Sequence, residues 1–301
     1  MIYTLTLNPA LDYVLTLDSL KIGETNRSVS NFITFGGKGL NVSAVLSSFG
    51  TPNVALGFSG GFIGKEIIRR AEEAGVKCDF IDLPDQITRI NVKIETDEES
   101  EINGSGPKIS REALNELYFK LSALKEGDIL VLSGSIPKNL SPTIYMDIMT
   151  RLPRGVKTVV DATGAALKNT LKCHPFLIKP SAFDLGDIYG VKIAVKTDAV
   201  FYGKKLIDAG AENVLVSMGE QGAVLITKEG DVYEMNAPDG EVVNTVGTGC
   251  SMVAGFLSEY TKSGDFISAL RIAICAGSAT AFSEDLADKE DILKIVSSET
   301  A

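Results

Sequence analysis

A chain of 301 residues, of which 45% are hydrophobic and 23% charged, has the size and composition of one large globular domain or two small ones. Its formal net charge of −10 argues against nucleic acid or an anionic membrane as a partner. An acidic protein that binds an anionic substrate must do so with a local group of lysine and arginine side chains, so the position of each of these residues matters.

The cysteine and histidine content excludes several kinds of site. The four cysteines are scattered without a CxxC pair, which argues against a zinc site or a thioredoxin-type motif. His174 is the only histidine, so the sequence excludes Ser-His-Asp catalysis, Cys-His catalysis and multi-histidine metal sites. The first residues, MIYTLTLNPA, lack a signal-peptide pattern, and no apolar run reaches the ~18 residues of a membrane span. We therefore expect a protein of the reducing cytoplasm.

The chain begins with a predicted strand over Ile2–Leu7. The next segment, Leu11–Phe35, is strand-like with polar alternation and contains no helical pattern. It leads into FGGKGLNVSAVLSSFG (35–50), where paired glycines precede Lys38 and a helix predicted over Gly39–Phe49. The GxxxxGK[ST] spacing of a Walker A loop is absent, so this stretch is either another kind of ligand loop or a tight strand–helix turn.

Helices are predicted where apolar residues recur at helical spacing, and glycine just past the last turn closes three of them. They cover Gly39–Phe49, Lys65–Ala74, Arg111–Leu124, Pro142–Arg151 and Asp198–Ala209. Between the second and third of these helices, residues 87–102 again read as strands, most clearly in ITRINVKIET. Residues 11–35 and 87–102 together predict a small β-sheet beside the main layer, either as a lid over a crevice or as an ordinary edge sheet.

Four compact runs rich in Val, Ile and Leu predict buried parallel strands. They are ILVLSGS (129–135), TVVDATG (158–164), FLIKPS (176–181) and NVLVSMG (213–219). Their alternation with helices predicts a mostly parallel sheet with helices on both faces. Because ligands bind beyond the carboxyl ends of such strands, the small or polar residues there should converge on one crevice. These residues are Ser133–Ser135, Asp161, Lys179–Ser181 and Ser217–Gly219.

The stretch NTVGTGCSMVAGF (244–256) is a glycine-bracketed turn that runs into an apolar helix. The first turn of a helix presents free N–H groups and the positive end of the helix dipole. Gly247 and Gly249 leave these donors uncovered, so an anion such as a nucleotide phosphate can reach them. The GxGxxG pattern fails because Met252 occupies the third glycine position. The stretch is either an anion site or a glycine-rich packing turn.

Several motifs in one order give the chain a family resemblance. They are TLNPALD (6–12), FGGKGLNVS (35–43), SGSIP (133–137), VSMGEQGA (216–223) and NTVGTGCSMVAGF (244–256). The sequence resembles the phosphofructokinase B branch of the ribokinase-like sugar kinases over its whole length. The resemblance implies one domain over residues 1–301, a ribokinase-like three-layer α/β/α sandwich whose lid is formed by segments near 11–35 and 87–102. It also implies ATP and Mg²⁺ as cofactors and dimerisation through the lid.

The resemblance implies phosphorylation of a sugar phosphate, with fructose 1-phosphate as the expected acceptor and tagatose 6-phosphate as the alternative. The implied substrate-binding residues are Asp12, Arg27, Gly37, Lys38, Asn41, Arg89 and Ser135, with Arg89 pairing with the phosphate already on the sugar. The implied cofactor-binding residues are Lys179, Ser181, Asp184, Ser217, Gly219, Thr248, Gly277 and Ser278. Gly247, Gly249 and Cys250 are the implied reaction centre.

Three departures from the family pattern fall at that centre. Cys250 occupies the position of the aspartate that acts as general base, and Thr248 replaces a small residue between the glycines. The family's Asn-x-x-Glu element, which helps to place Mg²⁺, reads Ser181 to Asp184. Loss of a positioned base lowers the rate by roughly 10²–10⁴. It does not abolish the reaction, because positioning and electrostatics supply most of the acceleration of phosphoryl transfer. We therefore expect a mostly protonated Cys250 thiol and an impaired kinase; the alternative is a non-catalytic sugar-phosphate or nucleotide sensor.

Overall fold

The computed structural model describes residues 1–97 and 99–298, whose strands form two sheets. In chain order the strands are β1 (Ile2–Thr6), β2 (Ala10–Thr16), β3 (Ser30–Gly36), β4 (Asn53–Ser59), β5 (Cys78–Asp82), β6 (Arg89–Glu95), β7 (Glu99–Asn103), β8 (Ile129–Ser133), β9 (Lys157–Asp161), β10 (Leu177–Ile178), β11 (Asn213–Ser217), β12 (Ala223–Thr227) and β13 (Val232–Met235). The helices are α1 (Lys38–Ser48), α2 (Gly61–Glu73), α3 (Arg111–Ser122), α4 (Ile144–Met149), α5 (Gly164–Thr170), α6 (Ala182–Tyr189), α7 (Lys196–Asp208), α8 (Thr248–Ser263), α9 (Phe266–Ala281) and α10 (Lys289–Ser298).

The large sheet has nine strands in the order β13-β12-β11-β10-β9-β8-β1-β4-β5. All neighbours from β5 to β11 are parallel, while β12 pairs antiparallel with both β11 and β13. Every residue of β4 and β8 is buried, because helices cover both faces of these strands. The expected mostly parallel sheet is confirmed.

Two apolar clusters pack on opposite faces of the large sheet and make three layers. One joins the sheet to α3–α7 through side chains such as Leu117, Ile148 and Leu206. The other joins it to α1, α8, α9 and α10 through side chains such as Val45, Phe256 and Ile274. This arrangement is the predicted α/β/α sandwich. In the described part of the chain, no helix is long and apolar enough to span a bilayer.

The small sheet has the order β3-β2-β6-β7 and is built from the two segments that showed polar alternation. Strand β2 pairs antiparallel with β3 but parallel with β6, so the sheet is mixed. At its root, Leu11 packs with Ile63 and Ile67 of α2 and with Leu40 of α1. The opposite face carries Asp12 and its neighbours, which are described below.

Several elements differ from their predicted bounds or were not predicted. Helix α2 begins at Gly61 rather than Lys65, since its first turn, Gly-Phe-Ile-Gly, is poor in helix formers and gave no signal. Helix α4 is shorter than predicted, because the chain at Pro142 is still outside the helix and Thr143 is its N-cap. The predicted elements also omit β4 and α9, which are among the most buried parts of the chain.

Candidate active site

Two adjoining cavities lie along the carboxyl ends of the parallel strands. Cavity A, of about 410 Å³, lies between the large sheet, the small sheet and the start of α8. Cavity B, of about 690 Å³, lies between α8, α9 and the strand ends near Ser181 and Ser217. Thr245 lines both cavities, so they are neighbours across the turn that leads into α8. The expected single crevice is thus divided into two compartments.

Asp12 is the central carboxylate on the small-sheet wall of cavity A. It is the cross-strand neighbour of Asn91, whose Nδ2 donates to Asp12 Oδ1 at 2.9 Å. The other oxygen, Oδ2, lies 3.3 Å from Lys93 Nζ. A β-carbon at Gly36 would lie 2.6 Å from Asp12 Oδ2, so only glycine leaves space for this carboxylate. The buried Asp12 is therefore held in a fixed orientation.

Lys93 is a cavity-lining cation that motif comparison missed. It is buried, pairs with Asp12 and lies 3.9 Å from Glu101 Oε1 on β7. The stretch ITRINVKIET predicts its position, since Arg89, Asn91 and Lys93 are spaced two residues apart along β6 and therefore point to one face. Period-two spacing from Arg89 would have found it.

Arg89 is half-buried at the root of β6, where its guanidinium donates to two backbone carbonyls. These are the oxygens of Asn8, at 3.1 Å, and of Gly104, at 3.4 Å. Its buried Nε has no hydrogen-bond partner among the described residues. Burial lowers the pKa of Arg89, an effect that Asp12 and Glu101 oppose. A guanidinium that lines cavity A suits an anionic group.

The glycine loop 35–39 is a tight turn whose side chains also line cavity A. Gly37 has φ 128°, a conformation that favours glycine, and Thr6 Oγ1 accepts from the amide of Leu40 at 3.0 Å. Lys38 and Asn41 both face the cavity, and Asn41 Oδ1 is buried without a described partner. The tight turn is therefore present, and the role of the loop in binding a ligand stays a prediction.

Asp161, at the end of β9, joins the two sides of the site. Its Oδ1 lies 3.5 Å from Lys38 Nζ and 3.3 Å from Lys179 Nζ. Burial pushes the pKa of the Asp161 carboxyl upward, but the ion pairs with Lys179 and Lys38 outweigh burial and leave the pKa below its usual value. The carboxyl is therefore ionised at neutral pH.

The start of α8 opens onto cavity A beside these charges. Its N-cap is Gly247, with φ 84°, and no side chain caps the helix. A β-carbon at Gly249 would lie 2.9 Å from Lys179 Nζ, so this glycine lets the lysine reach the helix start. Gly247 and Gly249 line the same cavity as Lys38 and Arg89. The uncapped amides and the lysines can together bind an anion.

Cys250 follows Gly249 in the first turn of α8 and is buried at the wall of cavity A. Burial, with a smaller contribution from Asp161, raises the pKa of its thiol to about 12, although Lys38 and Lys179 act in the opposite direction. The thiol is therefore protonated at neutral pH and is a poor proton acceptor.

Six predicted cofactor-binding residues line cavity B: Ser181, Ser217, Gly219, Thr248, Gly277 and Ser278. Of the other two, Lys179 lines neither cavity and pairs with Asp161 beside the start of α8, and Asp184 is described below. The hydroxyl of Thr248 donates to the carbonyl of Thr245 at 3.0 Å, which stabilises the turn between the cavities.

Two further predicted site residues line neither cavity. Arg27 is exposed on the loop between β2 and β3 and lines neither cavity. Asp184 caps α6 and is absent from both linings. Its Oδ2 accepts from the backbone N of Ser181 at 2.9 Å and from its Oγ at 2.7 Å, so the carboxylate is engaged locally.

Comparison with known proteins gives consistent matches over nearly the whole chain. The description "pfkB family carbohydrate kinase" matches residues 6–292. A 1-phosphofructokinase of Bacillus subtilis is 42% identical, and the match covers 98% of this chain and 97% of that protein. A tagatose-6-phosphate kinase of Staphylococcus epidermidis is 35% identical, covering 86% of this chain and 84% of that protein.

Solved structures share the fold at lower identity. Phosphofructokinase-2 of Escherichia coli, in complex with substrates and products, matches with a TM-score of 0.93 at 24% identity, over 100% of this chain and 99% of that one. A ribokinase of Arabidopsis thaliana, complexed with ribose and ATP, matches with a TM-score of 0.81 at 20% identity, over 98% of each chain. The ribokinase-like fold class is confirmed.

Proposed function

The chain belongs to the pfkB family of carbohydrate kinases, and we propose that it transfers the γ-phosphoryl group of ATP to the C6 hydroxyl of fructose 1-phosphate. As a kinase of this family, it is a phosphotransferase with an alcohol group as acceptor. One observation carries the finer proposal: the uncapped start of α8 faces the same cavity as Lys38 and Arg89. A cavity of about 410 Å³ is large enough for a sugar phosphate.

In this proposal the sugar phosphate lies in cavity A under the small sheet, which acts as a lid. Arg89 binds the phosphate already on the sugar, because its positively charged guanidinium lines cavity A. Ser135 lies in the same lining and accepts from Asn8 Nδ2 at 3.2 Å, which leaves its hydroxyl proton available. Asp12 and Asn41 bind hydroxyl groups of the sugar, since both side chains line the cavity and carry polar groups that suit hydroxyls.

ATP occupies cavity B, with its triphosphate extending past Thr245 to the start of α8. The amides of α8 and Lys179 stabilise the negative charge on the transferring group. Lys38 lies on the opposite side, where it positions the acceptor. Gly277 leaves room for Met252, since a β-carbon there would lie 2.6 Å from Met252 Cγ, and this contact shapes the wall for the nucleoside.

Mg²⁺ accompanies ATP in phosphoryl transfer and neutralises phosphate charge. Among residues 1–97 and 99–298, no group of three or more His, Cys, Asp or Glu side chains could hold a metal ion. Asp184 Oδ2 is engaged by the backbone N and the hydroxyl of Ser181 at the start of α6. We propose that Mg²⁺ is bound through the phosphates of ATP and water.

The choice of sugar is tested by competition. The 42%-identical relative from Bacillus subtilis supports fructose 1-phosphate, and the 35%-identical relative from Staphylococcus epidermidis makes tagatose 6-phosphate the alternative. We expect purified protein with Mg²⁺ and ATP to form ADP with a higher kcat/KM for fructose 1-phosphate than for tagatose 6-phosphate. The reverse order would reject the proposed acceptor.

A sugar-phosphate or nucleotide sensor is the second candidate, and the protonated thiol of Cys250 favours it. The same assay separates the two functions. Sugar-dependent ADP formation supports the kinase. Thermal stabilisation by ATP and sugar phosphate without turnover supports the sensor.

We also propose a homodimer formed through the small sheet. The described part of that sheet exposes apolar side chains on three of its strands, namely Phe32, Ile33, Ile90 and Ile102. Burial of such side chains stabilises an interface. Light scattering checks the mass, and a monomer at micromolar concentration would reject this part of the proposal.

A further inference from the structure

Asn8 lies between β1 and β2 and contacts both Arg89 and Ser135, which the proposed function places at the phosphate of the sugar. Its backbone oxygen accepts from Arg89 Nη2 at 3.1 Å, and its side-chain Nδ2 donates to Ser135 Oγ at 3.2 Å. Arg89 belongs to the small sheet, whereas Ser135 follows a strand of the large sheet. Asn8 therefore connects the two sheets at the wall of cavity A, which all three residues line.

The side-chain amide of Asn8 is buried, and its two ends have different surroundings. Its Oδ1 packs against Gly106, where a β-carbon would overlap this oxygen and would lie 2.8 Å from Asn8 Cγ. The oxygen has no hydrogen-bond partner in the described part of the chain, whereas Nδ2 reaches Ser135. The close approach of Gly106 therefore limits the movement of the amide and keeps its donor end on the serine.

Ser135 is exposed and lines cavity A, so its hydroxyl can reach a bound ligand. A serine hydroxyl rotates and can either donate or accept a hydrogen bond. Because Asn8 donates to Ser135 Oγ, the serine is engaged as an acceptor and its own proton is left for the ligand. A charged phosphate oxygen gains more from such a directed donor than an uncharged sugar hydroxyl does.

We propose that Asn8 directs the hydroxyl of Ser135 toward the phosphate already on the sugar, and so increases the selectivity for a phosphorylated over an unphosphorylated sugar. This inference rests on the proposed function. Asn8 acts as a positioning residue, because its buried amide acts on the phosphate through Ser135. Arg89 keeps its contact when the side chain of Asn8 is changed, since that contact is to the backbone.

Asn8→Ala tests this role by comparing fructose 1-phosphate with fructose, which carries the same C6 hydroxyl but no phosphate. We expect kcat/KM for fructose 1-phosphate to fall roughly 5–20-fold, mostly through KM, because a directed hydrogen bond to a charged group is lost. For fructose, which has no charged group to lose that bond, we expect a change of less than about twofold. Where turnover of fructose is too slow to follow, its Ki against fructose 1-phosphate gives the same comparison. A merely structural role lowers kcat/KM for both sugars by the same factor, and equal losses would overturn the proposal.

Gly106→Ala is a second variant that acts on the same amide without removing it. Its β-carbon displaces Asn8 Oδ1 and should reproduce the selective loss, whereas Ser105→Ala, at the exposed neighbouring position, should leave both values unchanged. Ser135→Ala should lower the selectivity at least as much as Asn8→Ala, and a smaller effect would contradict an action through the serine. If Asn8→Ala fails to fold, Gly106→Ala provides the same ratio. Absence of turnover by the parent rejects the proposed function itself, whereas equal losses with an active parent reject only the role of Asn8.

Discussion

Replacement of Cys250 by aspartate is the most informative perturbation of this site. Burial raises the pKa of the parent thiol to about 12, so the thiol is protonated at pH 7. It therefore contributes almost nothing as a base. A positioned carboxylate contributes roughly 10²–10⁴ in rate, or about 3–5 kcal/mol. The negative charge of Asp161 opposes ionisation of a second acid nearby, so the gain lies toward the lower end of this range.

We expect Cys250→Asp to raise kcat at least tenfold, measured by coupled ADP release at saturating substrates. Because position 250 is buried, the added charge should also lower the melting temperature, and thermal shifts with ATP and with fructose 1-phosphate establish that both still bind. Cys250→Ser is the matched control and should change kcat less than threefold. If the aspartate variant binds both ligands and its kcat does not rise, position 250 does not receive the proton.

Three other predictions address the rest of the site. Arg89→Ala should raise KM for the sugar phosphate about 10–150-fold, since charge-assisted hydrogen bonds contribute about 1.5–3 kcal/mol; Arg27→Ala is its exposed control, and equal effects in initial-rate assays would contradict the assignment. Gly249→Ala should lower kcat/KM for ATP at least tenfold, because the new β-carbon would lie 2.9 Å from Lys179 Nζ, and an unchanged value would show that this opening is not used. The folded-state pKa of Asp161 lies below its unfolded value of 3.8, so its stabilising effect is complete above that value and is lost as pH falls through the lowered pKa. Melting temperature followed as the pH is lowered below 3.8 should therefore fall more steeply for the parent than for Asp161→Asn, and parallel curves in that range would refute this linkage.

Sequence reasoning located the site because the carboxyl ends of parallel strands meet at one edge of a sheet. That rule brings Ser135, Asp161 and Ser217 to the same edge without any knowledge of side-chain contacts. It does not say which residues form ion pairs. The Lys38–Asp161–Lys179 cluster depends on how the glycine loop lies against the end of β9. The periodicity of the sequence does not predict this contact.

Three properties of the candidate site depend on local structure that the motifs do not encode: the contacts of Asp184, the exposure of Arg27 and the burial of Cys250. A motif comparison places Asp184 near the nucleotide, but its spacing of three residues from Ser181 also fits a helix cap, and the cap is what forms. Arg27 lies in a loop with no element to direct it inward, so its side chain faces solvent. Burial at Cys250 could not be read from the sequence, although it decides the protonation of the thiol.

The closeness of glycines to charged side chains has an evolutionary consequence. A β-carbon at position 36 fits only if the carboxylate of Asp12 moves away, and one at position 249 meets the end of Lys179 in the same way. The constraint has one direction, because the glycine tolerates a change of its partner, whereas a larger residue in its place clashes while the partner remains. Homologous lineages should then replace position 36 only after position 12 has changed, and position 249 only after position 179 has changed.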